Sequence, residues 1–211
     1  MPNRKTTSRR TFLKKSAVFA GMPTIVSSSA FGSARRPAPS ERITVGVIGS
    51  GKRGHTLMRG LSGFGEIQFV AIAEVEANRR ASAKKLAEAH HSRQKDKSGY
   101  KGVETYGDFR KLLARKDLDA VVIATPDHWH AIPVIAAARA KKDIYCEKPL
   151  SLTIREARVM ADTVKKEGVI FQTGSQQRSE CGGRFHRACE LVRNGRIGEI
   201  KTVHVGVGGP S

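Results

Sequence analysis

The sequence predicts an α/β fold in which helices cover both faces of a parallel, doubly wound sheet. From residue 41 onward, short apolar segments alternate with segments of helical composition, as a parallel sheet with crossover helices requires. The first apolar segment runs directly into a glycine-rich turn, and polar or ionisable residues follow most of the later ones. Because ligands of such sheets bind beyond the carboxyl ends of the strands, these polar positions predict a single site.

The first element is a buried strand over residues 43–48, and it leads into a Gly-x-Gly-x-x-Gly turn. In a strand–turn–helix unit that holds a pyrophosphate, Gly49 permits the tight turn and Gly51 lets the backbone approach the phosphates. Gly54 lets the helix pack against the strand, and the helix N-terminus adds unpaired N–H groups for the anion. The turn therefore predicts a dinucleotide site of the Rossmann type, with a purely structural turn as the alternative.

The second apolar segment, residues 67–73, ends at Glu74, which lies 20 residues after Gly54. A carboxylate at this distance accepts hydrogen bonds from the hydroxyls of a nucleotide ribose. It also repels a 2′-phosphate, so Glu74 favours NAD over NADP. Arg79 and Arg80 in the next helix can weaken that preference, so NADP stays possible.

Local signals place the remaining elements. Asp108 is an N-cap that begins one helix, and Thr153 with Glu156 forms a capping box that begins another. Pro133 is tolerated because it lies in the first turn of its helix. The further predicted helices are residues 77–89, 130–140, 153–166 and 185–192. The further predicted strands are residues 103–106, 119–125, 143–146, 169–173 and 200–207.

The charge of the chain does not indicate nucleic-acid binding. The formal net charge is +19, but residues 1–40 carry eight Lys or Arg and no Asp or Glu, which leaves 30 basic against 19 acidic side chains in the remainder. These are interspersed along helix faces, and one basic cluster, residues 93–101, is interpreted as a solvated loop.

Residues 1–40 are predicted to be a twin-arginine signal peptide and linker. Arg9 and Arg10 precede Thr-Phe-Leu-Lys, a bacterial export signature, and a mildly apolar stretch follows at residues 17–26. That stretch is too short and too polar to remain as a membrane anchor, so we expect the chain to be exported to the periplasm. A disordered basic tail is the alternative.

Neither the cysteines nor the histidines predict a metal site. The three cysteines, Cys146, Cys181 and Cys189, have no zinc-type spacing, and their odd number gives no disulfide framework. Cys146 lies in an apolar strand and is expected to be a buried apolar residue. His128 and His130 have the spacing of paired ligands, but no third ligand is evident.

Three motifs together resemble the Gfo/Idh/MocA oxidoreductases, the family of glucose–fructose oxidoreductase and inositol dehydrogenase. They are Val-Gly-Val-Ile-Gly-Ser-Gly-Lys-Arg-Gly at 45–54, Ala-Thr-Pro-Asp-His-Trp-His at 124–130 and Cys-Glu-Lys-Pro at 146–149. The resemblance covers residues 41–211 and implies an NAD(P)-dependent dehydrogenase acting on a sugar-like substrate, with a homo-oligomer as the full-length form.

By this resemblance, Lys148 is the catalytic residue and lies beside the nicotinamide and the substrate carbinol. The chemistry is consistent with that role, because hydride leaves a carbinol carbon only as its hydroxyl proton is removed. An ammonium group also stabilises the developing alkoxide.

The resemblance further implies which residues surround the ligands. Thr125 and Pro126 line the ribose–nicotinamide end, and Glu147 contacts the nicotinamide ribose. His130 is the better candidate of the two histidines for contact with the cofactor or substrate region, whereas Trp129 is assigned to packing. Arg53 is also predicted to contact the cofactor. Gln176 and Arg178 follow the sixth predicted strand and are candidates for contact with the substrate, with a surface role as the alternative.

The chain is divided by these signals into residues 1–40, a Rossmann domain at 41–176 and the truncated start of a second α/β sheet domain at 177–211. The family's second catalytic pair, an Asp and a His, has no match after residue 177, so the chain is expected to bind nucleotide without appreciable turnover and to aggregate through strand 200–207. Two alternatives remain: a non-catalytic nucleotide-binding module, and a redox-assisted glycoside-cleaving enzyme.

Overall fold

A computed structural model describes residues 37–92, 102–176 and 181–206 of the chain. Within these residues, six strands alternate with helices, which confirms the predicted α/β fold. The strands are β1 (Ile43–Ile48), β2 (Ile67–Ala73), β3 (Glu104–Tyr106), β4 (Ala120–Ile123), β5 (Asp143–Glu147) and β6 (Phe171–Gly174). The helices are α1 (Lys52–Leu61), α2 (Ala77–Ser92), α3 (Phe109–Leu113), α4 (Ala131–Arg139), α5 (Ile154–Glu167) and α6 (Arg184–Arg193).

The six strands form one parallel sheet in the order β3-β2-β1-β4-β5-β6. The direction of winding reverses between β1 and β4, which are direct neighbours although β2 and β3 intervene in the chain. At their carboxyl ends, Ile48 of β1 pairs with Ala73 of β2 and with Ile123 of β4. The reversal opens a crevice at this edge, where doubly wound sheets bind their ligands.

Both faces of the sheet are buried. Successive side chains of a strand point to opposite faces, so neighbouring residues of one strand belong to different core clusters. In β4, Val121 and Ile123 belong to one core cluster together with Val134 of α4. Val122, between them, belongs to a second cluster with Met58 of α1. All five side chains are at most 4% exposed, which explains why β4 appears as a continuous apolar run in the sequence.

The predicted helix caps are present. The Asp108 side chain accepts a hydrogen bond from the Arg110 backbone N–H at the start of α3. At the start of α5, the Thr153 hydroxyl accepts from the Glu156 N–H, and the Glu156 carboxylate accepts from the Thr153 N–H. Each cap satisfies backbone donors that the first helical turn leaves unpaired.

The predicted strand at residues 200–207 is wrong for its described part. Residues 200–206 have no regular secondary structure and are exposed, and Val207 lies outside the described residues. Alternating apolar residues suit a strand, but a strand also needs a neighbour to pair its N–H and C=O groups. No described residue supplies that pairing, so the alternation alone does not produce a strand.

The amino-terminal edge of the packed region begins before residue 41. Pro39–Glu41 forms a short 3-10 helix, and Ala38, which was predicted to lie in a linker, is 8% exposed. The Arg42 guanidinium donates to the Pro37 carbonyl oxygen over 3.2 Å. Arg9, Arg10 and the rest of residues 1–36 lie outside the described residues. Across the described helices, none is both long and apolar enough to cross a membrane.

Candidate functional site

A cleft of about 720 Å³ lies at the carboxyl edge of the sheet, beside the crevice between β1 and β4. Its walls come from the glycine turn, the segments after β2 and β4, and the start of α3. The lining residues from the first three of these segments include Gly49, Gly51, Arg53, Glu74, Arg79, Thr125, Pro126, His128 and Trp129. The fold therefore brings the predicted glycine turn, Glu74, Thr125 and Pro126 to one cavity.

The three glycines of the turn meet different constraints. Gly49 has a φ of +85°, and a Cβ placed there would lie 2.7 Å from the Thr125 backbone nitrogen. A Cβ on Gly54, in the first turn of α1, would lie 2.4 Å from the Gly49 carbonyl oxygen. Both glycines are therefore required by close backbone packing. At Gly51 the nearest atom is Arg79 Nη1 at 3.9 Å, so the space beside this glycine is open to a ligand.

Glu74 faces the same turn from the end of β2. Its Oε2 accepts a hydrogen bond of 2.8 Å from the backbone N–H of Ser50, and its Oε1 accepts one of 3.2 Å from the N–H of Glu76. Arg80 donates to the backbone carbonyl oxygen of Glu74. The Arg79 guanidinium lines the cleft and lies 3.8 Å from the Glu76 carboxylate. Of the two arginines considered for cofactor choice, Arg79 is thus the one that lines the cavity.

The segment after β4 forms the opposite wall. Thr125 lines the cleft, and its Oγ1 is buried without a hydrogen-bond partner among the described residues, so it has capacity for a ligand oxygen. Trp129 is 43% exposed and also lines the cleft, a placement that its assignment to packing missed. Its position in the polar segment between β4 and the next helix was the available signal. His130 instead turns inward and is 1% exposed, so it does not line this cleft.

His130 contacts the segment after β5. Its Nδ1 lies 2.6 Å from the Pro149 carbonyl oxygen, so Nδ1 carries the proton and donates. Its Nε2 is buried and has no partner within the described part of the chain. The Lys148–Pro149 peptide is cis, and Lys148 itself is exposed.

Glu147 is a buried carboxylate, 4% exposed, at the end of β5. Its Oε1 accepts a hydrogen bond of 2.9 Å from Arg53 Nε, and its Oε2 accepts one of 2.6 Å from Gln176 Nε2. The pattern of polar residues after strands located these side chains, but their mutual pairing depends on the sheet order. Arg178, the second predicted substrate residue, lies outside the described residues.

Two pKa shifts reflect the chemistry near the sheet edge. Asp108 lines the cleft, and the hydrogen bond from the Arg110 backbone N–H lowers the pKa of its carboxyl. Burial raises the pKa of the Cys146 thiol to about 12, with a further contribution from the Glu147 charge. Cys146 is 0% exposed, as expected for a buried apolar residue. Its thiol therefore stays neutral at physiological pH.

The residues of the cleft fit a dinucleotide. The open side of Gly51, the α1 N-terminus, the Glu74 carboxylate and the unpartnered Thr125 hydroxyl together offer sites for a pyrophosphate and ribose hydroxyls. Among the residues that the structure describes, no group of three or more His, Cys, Asp or Glu side chains is arranged to hold a metal ion.

Comparison with known proteins extends this picture. Residues 43–175 match the oxidoreductase family described as GFO_IDH_MocA, with an NAD-binding Rossmann fold. Myo-inositol 2-dehydrogenase of Thermotoga maritima is 32% identical over 162 residues, which cover 76% of this chain and 44% of the relative. A glycosyl hydrolase family 109 protein of Saccharopolyspora erythraea is 28% identical, with 92% of this chain and 44% of the relative covered.

A solved structure shows the same fold. Scyllo-inositol dehydrogenase from Lactobacillus casei, with bound NAD(H) and scyllo-inositol, aligns with a TM-score of 0.62 at 25% identity. The alignment covers 75% of this chain and 43% of that structure. The chain thus spans less than half the length of these relatives.

Proposed function

This chain belongs to the Gfo/Idh/MocA family of NAD(P)-dependent oxidoreductases, and from that premise we propose that it transfers hydride between a nicotinamide cofactor and a hydroxyl of a sugar, cyclitol or glycoside. The observation that carries the proposal is the convergence of the glycine turn, Glu74 and the unpartnered Thr125 hydroxyl on one cleft. The inositol dehydrogenases among the relatives support a polyol substrate.

Different residues of the chain bind different parts of the cofactor. The backbone beside Gly51 and the N-terminus of α1 bind the pyrophosphate, because unpaired N–H groups and the helix dipole favour an anion. Glu74 accepts hydrogen bonds from the ribose hydroxyls while its backbone contacts hold it in place. Thr125 and Pro126 orient the nicotinamide end. The nicotinamide, when bound, supplies the hydride acceptor or donor.

Lys148 takes part in the transfer of the substrate hydroxyl proton. The ammonium–amine pair of a lysine can relay the proton of the substrate hydroxyl and stabilise the alkoxide that develops as hydride leaves. Lys148 is exposed at the carboxyl end of β5, in the segment that His130 and Glu147 contact. The remaining contacts to substrate are assigned to Gln176, at the end of the Rossmann domain, and to Arg178, in the domain that begins at residue 177.

Calorimetric titration with NADH, beside a hydride-transfer assay over a panel of polyols and glycosides, tests the proposal. We expect NADH to bind, and any turnover to be lost in Lys148→Ala while affinity for NADH is kept. Lys116→Ala, which changes an exposed lysine outside the cleft, is the control. A folded chain without NADH affinity would contradict the proposal. NADH binding without turnover would favour the non-catalytic module for the chain as given.

Cofactor choice has its own test. We expect NADH to bind more tightly than NADPH, since Glu74 repels a 2′-phosphate. Glu74→Ala should narrow the difference by roughly tenfold, because it removes both a ribose acceptor and the repulsion. Glu66→Ala, which changes an exposed carboxylate outside the cleft, should leave the ratio unchanged. A wild-type preference for NADPH would show that the charge of Arg79 outweighs that of Glu74.

A redox-assisted glycoside-cleaving activity is the second candidate, and the similarity to the glycosyl hydrolase family 109 protein favours it. In such a reaction, oxidation of a ring hydroxyl to a ketone would acidify the neighbouring C–H, the aglycone would leave by elimination, and water would add to the resulting double bond. A bound nicotinamide would accept the hydride of the first step and return it to the ketone, so that no net NADH forms. Release of the aglycone from an aryl glycoside without net NADH formation would support this activity. Stoichiometric NADH formation from free polyols would support the dehydrogenase.

We also propose export to the periplasm through the twin-arginine route, on the basis of Arg9 and Arg10 before an apolar stretch. Replacing both with lysine should leave the precursor in the cytoplasm. The same double replacement at Arg35 and Arg36, in the same segment of the chain, should not affect delivery. Efficient periplasmic delivery of the Arg9 and Arg10 variant would contradict the proposed signal.

A further inference from the structure

The buried carboxylate of Glu147 needs an explanation, because a charged group removed from water is costly unless it is paired and hydrogen-bonded. Glu147 has both. Arg53 Nε donates to one carboxylate oxygen over 2.9 Å, and Gln176 Nε2 donates to the other over 2.6 Å. The backbone N–H of Lys148 lies 3.4 Å from the second oxygen. The Glu147 side chain, which directly precedes Lys148 in the chain, is therefore joined to two other segments through Arg53 and Gln176.

These contacts join elements that are distant in the chain. Arg53 lies in the first turn of α1, directly beside the glycine turn, and Gln176 follows β6. Gly174 of β6, which has no side chain, leaves space for the Glu147 carboxylate. A Cβ at that position would lie 2.9 Å from Glu147 Oε1 and 2.7 Å from the Tyr145 hydroxyl oxygen. A larger residue in β6 would therefore push the Glu147 carboxylate away from its partners.

The backbone that follows Lys148 is also held in place. His130 Nδ1 donates to the Pro149 carbonyl oxygen over 2.6 Å, and the His130 ring is 1% exposed. The exposed side chain of Lys148 is thus carried on a backbone that is fixed at Glu147 before it and at Pro149 after it.

Arg53 is the partner of Glu147 that lies at the cleft. It lines the cleft, while its Nη2 is buried and has no hydrogen-bond partner among the described residues. The Arg53 side chain as a whole is 34% exposed, so part of it is accessible from the cleft. A phosphate or ribose oxygen of a bound dinucleotide has the charge that suits a guanidinium group. Arg53 can then contact the cofactor from the cleft and Glu147 through Nε at the same time.

We propose that Glu147 is a positioning residue, which through Arg53 fixes the Lys148 backbone to the cofactor-binding turn and transmits cofactor binding to it. The inference rests on the proposed function in that the bound group is a nicotinamide dinucleotide. It adds to the predicted ribose contact of Glu147 a role that does not require Glu147 to touch the cofactor.

Backbone amide NMR of the labelled 211-residue chain tests the link without NADH. In the wild type we expect an order parameter near 0.85 at the Lys148 amide, the value of rigid backbone. Glu147→Gln keeps the shape but removes the charge, and it should lower that value below about 0.6. Glu66→Gln, which changes an exposed carboxylate, should not lower it. An unchanged order parameter in a folded Glu147→Gln chain would overturn the proposal.

The second measurement uses saturating NADH, where weaker affinity no longer matters. In the wild type, NADH should shift the amide signals of the glycine turn and of Lys148 together. In Arg53→Lys, which keeps the charge but offers no guanidinium to bridge two partners, the turn should still respond while the Lys148 shift falls by at least half. The same replacement at exposed Arg59 of α1 is the control. A Lys148 shift of full size in Arg53→Lys would overturn the proposal.

The two measurements separate this inference from the proposed function. If NADH moves no signal in the wild type, the proposed function is refuted, and the order parameters still decide whether Glu147 holds the Lys148 segment. If Glu147→Gln does not fold, Arg53→Met replaces it, because it removes the ion pair with Glu147 and leaves the hydrogen bond from Gln176 intact. A rigid Lys148 amide in that variant would then count against the proposal.

Discussion

Three glycines at the start of and within α1 should respond to alanine in three different ways, because their surroundings differ. A Cβ on Gly54 would lie 2.4 Å from the Gly49 carbonyl oxygen, and real Cβ contacts begin near 3.0 Å. The contact is with backbone, so the helix and the turn have to move apart. A Cβ on Gly60 would meet nothing within 4 Å, and one on Gly51 would meet only the end of the Arg79 side chain at 3.9 Å.

The magnitudes follow from these distances. Overpacking of this kind costs about 1–3 kcal/mol, occasionally more, and alanine in a helix interior returns up to about 1 kcal/mol over glycine. Gly54→Ala should therefore destabilise the chain by about 1–3 kcal/mol and weaken NADH binding. Gly60→Ala should stabilise it by about 0.5–1 kcal/mol and leave binding unchanged.

Gly51→Ala separates stability from binding. Its φ of −67° suits alanine, so we expect a change in unfolding free energy below about 1 kcal/mol. The added methyl nevertheless occupies the space at the cleft, and NADH affinity should fall by roughly tenfold or more. Urea denaturation followed by circular dichroism, beside calorimetric NADH titration, measures both quantities. A Gly54→Ala chain as stable as Gly60→Ala, or a Gly51→Ala chain with wild-type affinity, would refute the reasoning.

Three further predictions concern caps, thiols and acid. Thr153→Ala should cost about 1 kcal/mol of unfolding free energy by removing the α5 cap, whereas Thr163→Ala within the same helix should be neutral or slightly stabilising; equal losses in urea denaturation would contradict this. Iodoacetamide at pH 8 should label exposed Cys189 and spare Cys146, because burial keeps that thiol neutral; mass spectrometry of peptides from the native chain would show early Cys146 labelling if the idea is wrong. Asp108 has a lowered folded-state pKa, so its contribution to stability is present above its unfolded pKa of about 3.9 and is lost as the pH falls through the folded value. In Asp108→Asn, the unfolding free energy should therefore fall less steeply as the pH is lowered through this range. An unchanged pH dependence of the unfolding free energy would contradict this prediction.

The sequence by itself determined the features that depend on neighbours along the chain. The glycine turn, the Asp108 cap and the Thr153 capping box each involve groups within a few residues of one another, so their geometry is local. The apolar runs of β1 and β4 marked central strands because both faces of those strands are buried. Polar residues after the strands then located the edge at which the site lies.

The tertiary structure decided which of those polar residues meet. Glu147 and Arg53 are 94 positions apart in the chain and pair because β1 and β5 lie on either side of β4. His130 lies against the Pro149 carbonyl oxygen, in the segment that carries Lys148, and this contact joins residues 19 positions apart in the chain. Trp129, one position earlier, lines the cleft instead.

Residues 200–207 also show the difference between what the sequence determines and what the tertiary structure decides, because here the sequence-based prediction is wrong. Its alternation of apolar residues is a property of the sequence, and it predicted a strand. Backbone N–H and C=O groups gain the hydrogen bonds of a strand only from a neighbouring strand, and none of the described residues pairs with residues 200–206. A local pattern fixes which face of a strand is apolar, but only the assembled sheet supplies the partner that makes it a strand.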